Sequence, residues 1–347
     1  MMPTVRSILA QSFVVGLAGP SASDSELRLI ASEGLGGIIL FARNVESPAQ
    51  VWELNYRLRR AAAQAERPPL FVMVDQEGGS VARLHDPFCD GPDMAILGKS
   101  DAQALRSYGA RLGRELKAAG FNWNLAPVLD VNAVEGGIMA RRSLGPDPER
   151  VAELGAAFIA GQQEAGCLAC AKHFPGIGRT TADTHKVRPR VSLSREQLEA
   201  MELKPFRRAA AAGVAGIMVC HAVFEALDDK RPASISPQVI QGVLREELGF
   251  GGLVLSDDLE MGALAAEMGP DQAAVQAYLA GCDVLLICFS AEMALQALDQ
   301  LVALAEAGDI SQERLWATYN RLQAVKSRLD PLPGDLNELS AALTKKA

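Results

Sequence analysis

Short apolar runs alternate with longer amphipathic stretches along the whole chain. The runs predict strands at Phe13–Leu17, Gly37–Phe41, Leu70–Val74, Asn124–Leu129, Cys167–Ala171, Ile217–Cys220, Leu253–Leu255 and Val284–Cys288. Between them, apolar residues recur at helical spacing over Ser47–Ala65, Asp101–Ala119, Pro148–Ala165, Ser194–Ala212, Ser236–Leu248 and Asp271–Ala280. Several of these stretches open on cap or proline signals (Ser47-Pro48, Ser194, Ser236-Pro237). Several close on glycine, at Gly120, Gly166, Gly213, Gly249 and Gly281. Strands that are apolar throughout are buried on both faces, which implies a parallel sheet. Eight strand–helix units in 347 residues therefore predict an α/β fold, a (β/α)8 barrel forming a single domain over residues 1–347. Ser311–Leu329 reads as an extra C-terminal helix closing the far side. The tail from 331 to 347 reads as a short polar helix or a frayed end.

In such a barrel, chemistry gathers where strands end and the following loops begin. Those positions carry Asp75-Gln-Glu77-Gly-Gly, Asp130, Lys172-His173, His221 and Ser256-Asp257-Asp258. Residues far apart in sequence thus converge on one rim. The densest stretch is 171–186, which holds two of the four histidines together with Lys172 and Asp183. Titratable groups crowded beside a buried strand are costly unless they serve a purpose. In an extended loop Asp183 and His185, two apart, point the same way, so the carboxylate can orient and charge-stabilise the imidazole.

Asp257 and Asp258 are adjacent on a strand end and face opposite ways, so one points into the barrel mouth. The other is then free to cap the helix that follows. The pattern does not say which is which. One inward carboxylate opposed by an imidazole suits double displacement at carbon. Asp75, Arg83, Arg142 and Lys172 mix acceptors with donors, as a sugar's hydroxyls require. Surface ion pairing or rim packing is the plainer reading of the two arginines.

Composition narrows the partners. The apolar fraction is 49%, the charged fraction 22% and the formal charge −8, without a basic run. This argues against nucleic acid and anionic membranes. Most of the six cysteines sit inside apolar runs, as in a reducing cytoplasm. Cys167-x-x-Cys170 lies within a strand pattern and lacks a second pair at ligand spacing, so packing outweighs metal or redox chemistry. The N-terminus faintly imitates a signal peptide, but Gln11 interrupts its apolar run and Phe13-Val-Val-Gly16 reads as the first strand. No run reaches the ~18 apolar residues of a membrane span. The expectation is a soluble, cytoplasmic monomer.

Three segments together resemble a known family: Val74-Asp75-Gln-Glu-Gly-Gly79, Lys172-His-Phe-Pro-Gly-Ile-Gly178 with Asp183-Thr-His185, and Ser256-Asp-Asp-Leu-Glu-Met261. They resemble glycoside hydrolase family 3, and more narrowly its single-domain β-N-acetylglucosaminidases, the cytoplasmic enzymes of peptidoglycan recycling. The similarity runs in order from Gln11 to Ser290. It implies that Asp257 is the nucleophile and His185 the general acid/base, oriented by Asp183. It also implies that Asp75, Arg83, Arg142, Lys172 and His173 hold the terminal N-acetylglucosamine, with neither a metal nor an organic cofactor. The substrate it implies is a small carbohydrate or muropeptide, N-acetylglucosamine linked to 1,6-anhydro-N-acetylmuramic acid with or without stem peptide.

The chain departs from the subgroup pattern at a few positions. Ile177 stands where histidine is common, Arg179 where aspartate is frequent, and Ser80 where arginine is frequent. Ile138-Met-Ala-Arg141 also differs from a common Ile-Gly-x pattern. These departures bear on loop geometry and on the group beyond the scissile bond. Competing readings are a phosphorolytic relative, a β-glucosidase, a lyase forming a Schiff base on Lys172, and a sugar-binding barrel without catalysis.

Overall fold

Alternating side chains along each strand feed two different cores, and this is what closes the sheet on itself. The structure is a computed structural model that describes residues 3–134, 136–180, 189–265 and 268–344. The eight barrel strands are β1 (Phe13–Gly16), β2 (Gly37–Leu40), β3 (Phe71–Val74), β4 (Trp123–Asn124), β5 (Leu168–Phe174), β6 (Gly216–Val219), β7 (Leu253–Asp258) and β8 (Val284–Ile287). Each pairs in parallel with its neighbours in the chain, and β1 pairs with β8, so the (β/α)8 barrel is closed. Val14, Ile39, Phe71, Met73, Trp123, Leu255 and Leu286 point inward to one buried cluster. Val15, Ile38, Leu40, Val72, Val74 and Ile217 point outward to a second cluster beneath the helices. Phe71 and Trp123 meet edge to face, 4.8 Å apart, within the barrel.

Helix starts fall where the cap residues predict. Ser47 caps Pro48–Gln64, Ser194 caps the helix opening at Arg195, and Ser236 Oγ accepts the Val239 N–H. Asp101 and Ser311, not marked as caps in the sequence, cap Ala102–Ala118 and Gln312–Lys326 in the same way. The expected Ser194–Ala212 helix is present but passes through a wider turn at Leu198–Glu202. A helix at Ala291–Ala307, not singled out by the sequence reading, packs outside β8 and β1. Residues Leu336–Thr344 form a helix with Leu339 buried. Among the described residues no helix is long and apolar enough to cross a membrane.

Three strands differ from expectation by more than one residue at an end, and two of the differences matter for chemistry. The fourth strand is only Trp123–Asn124, not Asn124–Leu129. Pro127 lacks an N–H to continue the ladder, although Leu129 still donates to the Lys172 carbonyl at 2.7 Å. In contrast, β5 extends through Lys172-His173-Phe174 and β7 through Asp257-Asp258. The candidate site residues there stand on the strands themselves and are held by sheet hydrogen bonds, not by loops.

The N-terminal end of the barrel is plugged by the helix Gln312–Lys326, whose Leu322 and Val325 join the inner cluster. Lys326 is buried there. Its ammonium donates to Gln11 Oε1 at 2.7 Å and to the Gly36 carbonyl at 2.8 Å, over the Phe71 ring at 4.5 Å. With no anion beside it, burial pushes this lysine from about 10.5 down to about 7. Between those values the unfolded chain binds the proton that the folded chain has released, so this group's contribution to stability rises with pH. Lys326→Met removes the titration. Its stability relative to wild type, read from urea midpoints, is expected to fall between about pH 6 and about pH 9. A difference that does not change with pH would contradict the assignment.

Candidate active site

The C-terminal ends of the strands surround a cavity of about 530 Å³. Its floor is apolar, formed by Leu125, Met218 and Leu286, and its polar wall comes from β5, β7 and the loops after β3 and β4. All six described residues expected at the site line it: Asp75, Arg83, Arg142, Lys172, His173 and Asp257. Asp183 and His185 lie outside the described residues.

Lys172 organises the wall. Its ammonium lies 2.6 Å from Asp75 Oδ1 and 2.6 Å from Glu77 Oε1. Glu77 is buried and is gripped from its other side by Arg142, with Nε to Oε2 at 2.8 Å and Nη2 to Oε1 at 2.7 Å. A two-pronged guanidinium–carboxylate contact of this kind fixes orientation as well as charge. Burial alone pushes the Glu77 carboxyl up, but Lys172 and Arg142 overcome it and hold the group well below the usual range. Burial likewise works against the Lys172 charge, and Asp75 and Glu77 reverse the outcome, leaving its pKa raised. A lysine kept as ammonium is a poor Schiff-base nucleophile, which counts against the lyase reading.

Arg83 approaches Asp75 Oδ2 at 3.7 Å. Its buried Nε has no hydrogen-bond partner among the described residues, and the residue lines the cavity. His173 is held through Nδ1 by the fully buried Asp130 at 2.7 Å, while its Nε2 lies 3.4 Å from Arg142. The other oxygen of Asp130 accepts the Ile177 N–H at 2.7 Å, tying the loop after β5 to the same carboxylate.

The two adjacent aspartates divide their work. Asp258 Oδ1 accepts the N–H groups of Glu260 at 3.2 Å and Cys288 at 3.3 Å, so it pins the turn after β7 to the end of β8. Burial and the neighbouring Asp257 push its carboxyl up to about 6, against the Glu260 N–H. Asp257 uses Oδ1 to accept the Asp258 N–H at 2.9 Å, and among the described residues Oδ2 is unengaged. Burial pushes the Asp257 carboxyl up, but His173, His221, the Asp258 N–H and Lys172 prevail and hold it below its usual value. Both carboxylates line the cavity; Asp258 Oδ1 ties the backbone together and its carboxyl is pushed up, whereas the Asp257 carboxyl is held down in its charged form.

His221, expected on the rim, does not line the cavity. It is buried beneath β7, with Nδ1 2.7 Å from Ser234 Oγ and Nε2 2.9 Å from the Asp258 carbonyl. Two residues matter here to which the sequence assigned no role. Glu77 and Asp130 each lie in a segment already picked out at a strand end, but their roles depend on partners 65 and 43 residues away. Cys167 and Cys170 are buried in and beside β5, and burial pushes the Cys167 thiol up to about 12, as packing residues require.

Comparisons with known proteins bear on the family of the chain. Residues 4–325 match the family described as Glycosyl hydrolase family 3 N terminal domain. A beta-hexosaminidase of Nitrosomonas eutropha is 37% identical over 295 residues, covering 83% of this chain and 83% of its own. One from Pseudomonas aeruginosa is 39% identical over 296 residues, covering 84% of this chain and 87% of its own. Among solved structures, a glycoside hydrolase family 3 beta-N-acetylglucosaminidase from Paenibacillus sp. str. FPU-7 superposes with a TM-score of 0.91 at 41% identity. The match covers 94% of this chain, which spans 63% of that longer one. A beta-N-acetylhexosaminidase from Beutenbergia cavernae gives a TM-score of 0.86 at 30% identity, covering 94% and 99% of the two chains. On the family match and these relatives, the chain belongs to glycosyl hydrolase family 3.

Proposed function

We propose that the chain is a retaining, exo-acting β-N-acetylhexosaminidase that removes terminal β-linked N-acetylglucosamine through a covalent glycosyl-enzyme intermediate. The observation that carries this reading is Asp257: an ionised carboxylate with one oxygen unengaged among the described residues, facing a sugar-sized cavity whose opposite wall is a fixed set of donors and acceptors. In the first step the free oxygen of Asp257 bonds to the anomeric carbon as the bond to the leaving oxygen breaks. His185 gives its proton to that oxygen, with Asp183 orienting the imidazole. In the second step water delivers its proton to His185 and its oxygen to the same carbon, and Asp257 departs. Two inversions retain the configuration.

Asp75 accepts from the sugar's hydroxyls, and Arg83, Arg142, Lys172 and His173 supply donors around it. The closed floor at Leu125, Met218 and Leu286 favours a chain end over a strand passing through. The hexosaminidase names of the relatives support N-acetylglucosamine over glucose as the sugar. The motif resemblance supports a peptidoglycan fragment as substrate, N-acetylglucosamine on 1,6-anhydro-N-acetylmuramic acid with or without peptide, hydrolysed by a monomer in the cytoplasm.

The test compares an aryl β-N-acetylglucosaminide with the matching β-glucoside, each with and without phosphate. Preferential release of free N-acetylglucosamine, unaffected by phosphate, is the expected result. A sugar phosphate as product would make the chain a phosphorylase, and preference for the glucoside would make it a β-glucosidase.

A further inference from the structure

At the rim of the cavity, a large apolar ring stands in water. Phe289, just beyond β8, is 69% exposed, more than any other large hydrophobic side chain among the described residues. A single exposed phenylalanine is ordinary, but this one is built into place. Its ring stacks on Phe41, with centroids 6.0 Å apart and planes 19° from parallel. The Arg43 guanidinium lies 4.6 Å from the Phe41 centroid and 4.7 Å from that of Phe289. Those two distances together well exceed the ring separation, so Arg43 sits to one side of the pair and not between the rings. Arg43 is itself fixed, donating to the Leu17 and Cys288 carbonyls at 2.9 Å each.

Both rings line the cavity and Arg43 does not. Arg83, which also lines the cavity, lies 5.8 Å from the Phe41 centroid, so Phe289 is the ring of the pair with the more open surface toward a ligand. The backbone fixes this platform relative to the nucleophile. Phe289 N–H donates to Glu260 at 2.5 Å and Cys288 N–H to Asp258 at 3.3 Å, so the ring hangs from the turn that follows Asp257.

We propose that the Phe41–Phe289 pair seats the pyranose ring of the leaving group, with Phe289 selecting for a sugar there; this rests on the glycosidase reading above. A β-linked gluco-configured ring shows one face of axial C–H groups, apolar and slightly positive, that matches the electron-rich face of an aromatic ring. Its hydroxyls project from the edge into water. A flat, half-solvated platform suits that chemistry, whereas the terminal sugar needs the buried polar wall around Asp75 and Lys172. Because the platform reads a face and not an edge, it tolerates substituents on the leaving sugar's edge. The ligand class is a pyranoside, plain or substituted at its rim.

The experiment measures kcat/KM for a disaccharide, N-acetylglucosamine β-linked to a second N-acetylglucosamine, and for methyl β-N-acetylglucosaminide, which has no second ring. Phe289→Ala is expected to lower the ratio of disaccharide to methyl glycoside by about tenfold, and Phe289→Trp to keep or raise it. An unchanged ratio in Phe289→Ala, with wild type active on both, overturns the platform and leaves the glycosidase reading standing. An equal fall on both substrates that Trp does not restore also overturns it, since that is the mark of a structural residue. Wild type inactive on both substrates would instead remove the glycosidase reading, and this inference with it.

Discussion

Asp257→Ala is expected to lower kcat/KM on an aryl β-N-acetylglucosaminide by at least about a thousandfold, because it removes the atom that bonds to the sugar. The fold should tolerate the change. Asp257 accepts a single backbone N–H through its side chain, whereas its neighbour Asp258 accepts two and joins β7 to β8. The urea midpoint of Asp257→Ala should therefore stay close to that of wild type while activity collapses. Loss of activity accompanied by an equal loss of folding would deprive the residue of its chemical role, and unchanged turnover would exclude it as nucleophile.

The second large effect concerns Lys172. Lys172→Met fills similar volume but, among the described residues, leaves Glu77, buried, with Arg142 alone, and Asp75 with only the more distant Arg83. Breaking a buried ion network by removing one partner costs about 3–5 kcal/mol, so a fall in stability of that order is expected at neutral pH. The pH dependence identifies the cause. In wild type the Glu77 carboxyl is held below its unfolded value, so its contribution is present above that value and is lost as pH falls through the folded one. Without Lys172 the folded value rises, the uncompensated charge is quenched by protonation sooner, and the variant's deficit shrinks in acid. Urea midpoints at about pH 7 and about pH 3.5 read this directly. A deficit that is constant or grows in acid would place the loss in packing.

Much of this was legible in the sequence, for identifiable reasons. Strands buried on both faces leave uninterrupted apolar runs, and Ser47 and Ser194 announce helix starts by the same hydrogen bond seen in the structure. What misled was polarity at strand ends. Lys172, His173, Asp257 and Asp258 break an apolar pattern although the backbone continues in the sheet beneath them. Pro127 had the opposite effect: it sits in an apolar run that it cannot carry as a strand. His221 shows the limit of reading position alone, since a residue just past a strand can turn under its neighbour instead of into the mouth. The pairing of Glu77 with Arg142 is invisible without the fold, because nothing in the sequence marks one as the other's partner. Arg83 lines the cavity beside Asp75, at the rim where the sequence left ion pairing and sugar binding both open.

The central claim is a bond between Asp257 and the sugar. Incubating the full chain with a fluorinated N-acetylglucosaminyl donor, which slows release of the intermediate, and mass-mapping the digest locates that bond. One added sugar on the peptide containing Asp257, fragmenting to that residue, is the predicted result. A label on Asp258 or on any other residue, or steady turnover of the donor with no label formed, would contradict it.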